Sequence, residues 1–360
     1  MPVSELTSGE TDQESAGEKR LFFKCDGLGN DFIVCWRHPG GKRASPHDAV
    51  RLCDRMRGAG SADMPLMGRG SAEGVIGADG ILELSQPSPD GKSGADAAMR
   101  ILNSDGSEAE MCGNGLRCAA LFLEVHRREL LGKGKPGEEL TFETSAGIRR
   151  ARVLSKVPIL PDEMSELPLP LPAVVEAQMG KAVLAAGKIP MAGSSDVTAI
   201  EPEKPFIEQP VTLLLPDGRE RRVIGTAVSM GNPHFVLIAP KDISDADFRV
   251  LAPHIERSAA FPERTNVELV RPDEILPDGT RAFRMTVWER GCGWTQACGT
   301  GACAAAVSLC LTGRALWESP IEIRMPGGAL RIEVSRESLA VRLVGEARLS
   351  AFGKLSLLPA

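Results

Sequence analysis

The sequence predicts an α+β chain built from two related halves. Many short strand-like runs accompany one evident helix in each half, which is not the strict alternation of a doubly wound sheet. The halves also echo one another. Gly29-Asn30-Asp31 precedes an apolar run in the first, and Gly231-Asn232-Pro233-His234 precedes one in the second. Further on, Cys112-Gly113-Asn114-Gly115 and Cys298-Gly299-Thr300-Gly301 each open a stretch of small and apolar residues. A repeat of this size signals a duplicated domain rather than a solenoid, and 360 residues suit two domains.

Taken in order, residues 1–20 carry four Glu and one Asp and no apolar core. They are expected to be a disordered leader, neither a secretory signal nor a transit peptide. Residues 21–36 read as two short strands around a Gly-Asn-Asp turn, and 47–57 have helical spacing. The Gly/Ser-rich stretch 58–74 reads as a loop or insertion. Strands are expected at 75–84 and 98–103, a helix at 113–131 and a hairpin at 140–154. Residues 158–172 hold five prolines, which disfavour helix and sheet interiors, so a linker is placed at 158–173. Beyond it, strands are expected at 174–179, 211–215, 223–229, 234–239, 266–270 and 282–289. Helices are expected at 246–257 and 300–311, and a series of short strands at 321–358. The resulting domains are 21–157, completed by a C-terminal strand at 348–360, and 174–347.

Composition narrows the function. The chain is 42% hydrophobic and 25% charged, as expected of a soluble globular protein. A formal net charge of −6 argues against a nucleic-acid partner, which would need a basic face. No apolar run approaches the length needed to span a membrane. Nine cysteines, an odd number in a long chain without a secretion signal, point to a reducing cytoplasm rather than a disulfide framework. No C-x-x-C pair suggests a structural zinc site, so no metal is expected. Most of the thiols are expected to be small core residues.

The two Cys-Gly-x-Gly segments are the exception. A helix N-terminus offers unpaired N–H groups and a partial positive charge. There a thiolate is stabilised, so the thiol pKa is expected to fall toward neutrality. The neighbouring glycines let a ligand approach the backbone. One such site could hold a carboxylate; two facing each other would place one sulfur on each side of the carbon bearing it. That arrangement suits racemisation: one thiolate removes the α-proton and the opposing thiol returns one to the other face. The helix ends stabilise the charge that builds on the carboxylate, and no cofactor is needed. A lone Cys-Gly at a helix start is more often structural, and it is the duplication that favours function. Gly299 to Ala304 also fits G-x-G-x-x-A, but a Gly-rich polar segment precedes it instead of the buried strand that a dinucleotide site requires.

At this point the chain resembles the diaminopimelate epimerases. The resemblance rests on Gly27-Leu28-Gly29-Asn30-Asp31-Phe32, on NSDGSEAEMCGNGLRC at 103–118, VSMGNPHFV at 228–236, ERTNVE at 263–268 and WERGCGWTQACGTGACA at 288–304. It implies two pseudo-symmetric domains, each a β-barrel-like sheet around a central helix, with the active site in the cleft between them. It further implies a cofactor-independent isomerase of lysine and peptidoglycan precursor synthesis, acting on a small amino acid and assembling as a homodimer.

Residue by residue, the resemblance makes Cys112 and Cys298 the acid/base pair. Gly113, Asn114, Gly299 and Thr300 would hold the reacting carboxylate. Asn30, Asn103, Asn232, Asn266 and Arg290 would bind the substrate's amino and carboxylate groups. Glu289 and His234 would sit near the thiols and set their protonation, with Glu289 also at the substrate. The chain departs from the family pattern at Met111, at Trp294, at Gly80 and in the 58–74 insertion; Trp294 and the insertion bear on the pocket and hence on substrate choice. A racemase acting on proline, hydroxyproline or histidine, or a non-catalytic thiol redox sensor, are the alternative functions.

Overall fold

A computed structural model describes residues 19–59, 77–88, 94–109, 111–126, 130–132, 134–157, 169–193, 200–215, 218–239 and 243–357. The expected leader (all but its last two residues), residues 60–74 of the expected insertion and residues 158–168 of the expected linker lie outside them. The chain divides into two compact units, one of the described residues up to Ala177 together with those from Gly345 onward, the other Gln178–Val344. Each is a β-barrel-like sheet around a central helix.

The first unit contains β1 (Lys19–Gly27), β2 (Asn30–Arg37), α1 (Pro46–Cys53), β3 (Gly80–Ser85), β4 (Ala97–Asn103), β5 (Glu108–Ala109), α2 (Gly113–Val125), β6 (Leu140–Thr144) and β7 (Gly147–Val153). The chain leaves it within β8 (Leu171–Lys181). β1 and β2 form a hairpin whose last pair is Gly27 with Asn30. Leu28 and Gly29 between them both have positive φ, 59° and 80°, which is the backbone that a two-residue hairpin turn requires and glycine supplies freely. β2 then runs parallel to β3, β3 antiparallel to β4, and β4 parallel to β6, which turns back as β7.

The second unit repeats this plan. It holds β9 (Gln209–Leu214), β10 (Glu220–Ser229), β11 (Pro233–Ile238), α3 (Asp245–Glu256), β12 (Asn266–Ile275), β13 (Arg281–Glu289), β14 (Gly293–Trp294), α4 (Gly299–Leu311), β15 (Ile321–Met325) and β16 (Gly328–Val334). β17 (Ala340–Ser356) pairs with β16 through Val341–Val344 and continues into the first unit, where Arg348–Ser356 pair with β1. The order of pairings matches that of the first unit: an antiparallel β10–β11 hairpin, parallel β11–β12, antiparallel β12–β13, parallel β13–β15 and a β15–β16 hairpin. Even the short second-strand partners correspond, β5 on β4 and β14 on β13. α1 and α3 occupy equivalent connections and both start with a capping box, Ser45 with Asp48 and Ser244 with Asp247, in which each side chain takes the other's backbone N–H.

α2 and α4 are the central helices. Every residue of α2 is buried, against β1, β2, β3 and β7. α4 is buried except at Thr300 and Leu311 and packs on β10, β11, β12, β15 and β16. A helix that is apolar on all sides is stable only when enclosed, and runs such as Cys118 to Phe122 and Ala302 to Val307 leave no polar stripe for water.

Several boundaries differ from those expected. The first helix stops at Cys53 rather than residue 57, because the Asp54 carboxylate accepts the N–H groups of Met56 and Arg57 and turns the chain out of the helix. The end of the expected linker is already strand: Leu171, Ala173, Val175 and Ala177 alternate inward along β8, while Pro172 is exposed on the outer face near the start of the strand. None of the nine cysteines, all among the described residues, is in a disulfide, and Cys25, Cys35, Cys53, Cys118, Cys303 and Cys310 are buried, but Cys292 is exposed on the β13–β14 turn rather than in the core. Among the described residues no helix is long and apolar enough to cross a membrane.

Candidate active site

Each unit contributes a cluster at the N-terminus of its central helix. In the first, Cys112 is the N-cap of α2, with φ −143° and ψ 117°, and its sulfur accepts the N–H of Gly115 at 3.4 Å. In the second, Cys298 is the N-cap of α4, with φ −128° and ψ 110°, and accepts the N–H of Gly301 at 3.3 Å. Because the cap side chain serves the third helical N–H, the first two lie outside the intrahelical ladder. These belong to Gly113 and Asn114 in one unit and to Gly299 and Thr300 in the other, the four residues singled out above for a carboxylate. The extended cap backbone and the glycine at the third position are what the Cys-Gly-x-Gly pattern encodes.

Around Cys112, the thiol is half-buried and lies 3.8 Å from the Asn30 Oδ1, to which it donates. Asn30 opens β2, and its Oδ1 also accepts from Asn114 Nδ2 at 3.4 Å. Asn114 is held from behind by Arg117, which is fully buried one helical turn on: its Nη2 donates to Asn114 Oδ1 at 2.9 Å and its Nε to the Glu346 carbonyl at 3.2 Å. Asn103 is not joined to this group by a hydrogen bond; it ends β4, with its Nδ2 donated to Ser107 Oγ at 2.9 Å.

Around Cys298, a chain of polar contacts runs inward. The sulfur is 3.5 Å from Thr300 Oγ1, which accepts from Asn232 Nδ2 at 3.3 Å. Asn232 Oδ1 meets His234 Nε2 at 3.0 Å, and His234 Nδ1 meets Glu268 Oε1 at 2.6 Å. His234 and Glu268 are completely buried. Glu289, the last residue of β13, accepts from Thr295 Oγ1 at 2.5 Å. Burial pushes its carboxyl above the usual range, while hydrogen bonds to Thr295 and Cys298 pull the other way. The Cys298 thiol is itself pushed well up, first by burial and then by the nearby charges of Glu289 and Glu268, against the opposing pull of Thr300 and the Gly301 N–H. The expected fall toward neutrality is therefore corrected at Cys298: two carboxylates and the loss of water outweigh the helix end.

Asn266 and Arg290 are linked to one another. Asn266 Nδ2 donates to the Pro233 carbonyl at 2.8 Å, and its Oδ1 accepts the Arg290 N–H at 2.9 Å. The exposed Arg290 guanidinium donates to the Glu263 carbonyl at 3.2 Å. The turn that carries Arg290 is fixed by the buried Glu256, which accepts from Gly291 N–H at 3.0 Å and from Trp288 Nε1 at 2.8 Å. Trp294 is committed to packing: its ring meets Trp288 and Phe248 edge-on at 5.2 and 5.6 Å, with the Arg249 guanidinium 5.2 Å from its centroid. Cys303 is enclosed in α4 and Cys292 is exposed, so neither duplicates the capped position of Cys298. Among the described residues no group of three or more His, Cys, Asp or Glu side chains could hold a metal ion.

Three polar residues of these clusters carry no signal in the motifs read alone. Glu268 sits in a strand whose neighbours are all buried, Glu256 ends a helix, and Arg117 looks like a helix-surface charge.

Comparison with known proteins identifies the family. The family model described as Diaminopimelate epimerase matches residues 22–157 and 226–349. A diaminopimelate epimerase of Synechococcus sp. (strain JA-3-3Ab) is 39% identical over 331 residues, covering 91% of this chain and 94% of that protein. One of Desulforudis audaxviator (strain MP104C) is 39% identical over 330 residues, covering 91% and 95%. Among solved structures, a probable proline racemase from Agrobacterium radiobacter K84 superposes with a TM-score of 0.57 at 17% identity, covering 94% of both chains. A hydroxyproline epimerase from Agrobacterium vitis superposes with a TM-score of 0.56 at 16% identity, covering 96% of this chain and 93% of that one. At such identities these structures speak for the fold alone.

Proposed function

Since this chain belongs to the diaminopimelate epimerase family, we propose that it interconverts LL- and meso-diaminopimelate by moving the α-proton between two cysteines. The enzyme class is that of an isomerase. The observation that carries the mechanism is the pair of capping thiols, Cys112 and Cys298, each with matching backbone geometry and each bonded by the third N–H of a buried helix.

In the proposed cycle the substrate's α-carboxylate takes the N–H groups of Gly113 and Asn114 and of Gly299 and Thr300. These donors stabilise the charge that builds on its oxygens as the α-proton leaves. Cys298, held protonated by its surroundings, serves as acid, and Cys112 as thiolate serves as base. Cys112 takes the α-proton, the electron pair stays on the α-carbon, and the Cys298 S–H delivers its proton to the opposite face. The thiol and thiolate are then exchanged, and the reverse turnover restores them. Thr300 and Asn232 carry the influence of His234 and Glu268 to Cys298, and Glu289 sets its charge environment directly. Asn30, Asn103, Asn232, Asn266 and Arg290 bind the remaining amino and carboxylate groups, Arg290 as the bidentate partner of a carboxylate. The same proposal makes the enzyme a cytoplasmic homodimer that supplies lysine and peptidoglycan precursors; sedimentation of the active protein as a monomer would remove the dimer from it.

Turnover tests the substrate. Reduced protein without added pyridoxal phosphate should epimerise LL-diaminopimelate and leave proline, hydroxyproline and histidine unchanged. Activity confined to one of the others would keep the two-thiol chemistry and reassign the pocket. Inactivity toward the whole panel would favour a thiol sensor.

A further inference from the structure

The Asn30 amide has two ends that differ in chemistry but hardly in shape, and only its neighbours decide which end faces the Cys112 sulfur. Asp79 makes that decision at the nitrogen end with the shorter contact, and Asn114 Nδ2, 3.4 Å from Asn30 Oδ1, favours the same orientation at the oxygen end. The Asp79 Oδ2 lies 2.8 Å from Asn30 Nδ2 and also accepts the Asp31 N–H at 3.0 Å. A carboxylate only accepts, so the amide nitrogen must point at Asp79 and the carbonyl oxygen at Cys112, 3.8 Å from its sulfur. Asp79 is itself held. Its Oδ1 accepts from Arg55 Nη2 at 2.6 Å, and Arg55 forks onto both oxygens of Asp31 at 2.6 and 2.7 Å. Lys24 Nζ lies 2.6 Å from Asp31 and donates to the Gly77 carbonyl, two residues before Asp79. Asp31 pays for its burial through these cations: burial raises its carboxyl, yet Arg55 and Lys24 hold it down at about 2.

We infer that Asp79, held by Arg55, is a positioning residue that fixes the Asn30 amide with its oxygen toward Cys112. The inference rests on the assignment of Cys112 as an acid/base thiol. The consequence is chemical. An oxygen at that place accepts the S–H once Cys112 has taken a proton, and it disfavours the thiolate. An amide released from Asp79 can turn its NH2 to the sulfur and reverse both effects.

The test reads Cys112 directly and needs no turnover. Fully reduced wild type, Asp79→Asn, Arg55→Gln, Asn30→Ala and the Asp79→Asn/Asn30→Ala double variant are treated with iodoacetamide at one near-neutral pH. Modification is followed on the Cys112 peptide by mass spectrometry, with melting curves to verify folding. Asp79→Asn should raise the alkylation rate at least about threefold, as a thiol pKa lower by about half a unit would. Arg55→Gln should change it in the same direction by less. In the Asn30→Ala background Asp79→Asn should change nothing further, because Asp79 acts through Asn30. Wild-type rates in both Asp79→Asn and Arg55→Gln, or an Asp79→Asn effect that persists in full without the Asn30 amide, would overturn the inference. A folded enzyme that epimerises nothing would refute the proposed function while leaving this result standing. In an active enzyme, Asp79→Asn should lower kcat more than it raises KM.

Discussion

Cys112 and Cys298 share a cap geometry and differ in surroundings. Cys112 is half-buried and meets an amide oxygen; Cys298 is buried among Glu289, Glu268 and Thr300. For Cys298 these surroundings favour the protonated thiol in the free protein. A thiol whose pKa is raised keeps its proton until the pH climbs past that raised value, so Cys298 should resist iodoacetamide from pH 7 to pH 9 and react only above it. Glu268→Gln removes one of the charges that raise it, and should bring the onset of Cys298 alkylation to lower pH. An unchanged onset in that variant would show that burial and Glu289 hold the proton without help from Glu268. Replacing either cysteine by Ala should lower epimerisation by at least the ~10²–10⁴-fold typical of a lost acid or base, with the melting temperature nearly unchanged.

At the scale of elements, the helix starts depend on their glycines to different degrees. A Cβ on Gly301 would lie 2.7 Å from Glu268 Oε1, a buried carboxylate already bound to His234. A Cβ on Gly115 would meet Leu82 Cδ2 at 3.0 Å, the end of a side chain that can give way. Gly301→Ala should therefore destabilise by about 1–3 kcal/mol, as overpacking does. Gly115→Ala should lie within about 1 kcal/mol of wild type, since Ala recovers helix propensity that Gly lacks. Thermal unfolding of the two variants reads the difference, and equal losses would contradict the packing argument. The same elements mark what could be read beforehand. Cys-Gly-x-Gly is a local code: the cap residue, the glycine and the apolar run lie within one helix, so both helix starts were legible. Glu268 was not, because its partner is on the neighbouring strand and the residues beside it promise only core. Asp79 was not, because the amide it orients is 49 positions away. The end of α1 escaped for a related reason, since apolar spacing continues past Cys53 while the Asp54 side chain diverts the backbone.

At the scale of the molecule, duplication is the organising fact. Both units run hairpin, capped helix, parallel strand, antiparallel strand, central helix and second hairpin, and both place a cysteine at the start of the central helix. Their equivalent positions have diverged. Gly80 and Asn266 both begin the strand that runs parallel to the preceding one, and Asn103 and Glu289 both end the next. One plan has thus acquired two chemistries, as a substrate with two unlike faces demands. The sequence echo revealed the duplication, but not this divergence, which needs the strand registers. The central claim is that two different residues handle the proton. It is tested most directly by following deuterium early in the turnover of LL-diaminopimelate in deuterium oxide. If Cys112 removes the α-proton and Cys298 delivers the new one, the meso product carries solvent deuterium while unreacted LL substrate stays unlabelled. Deuterium appearing equally in recovered substrate and product would mean that a single group serves both faces, and would contradict the account.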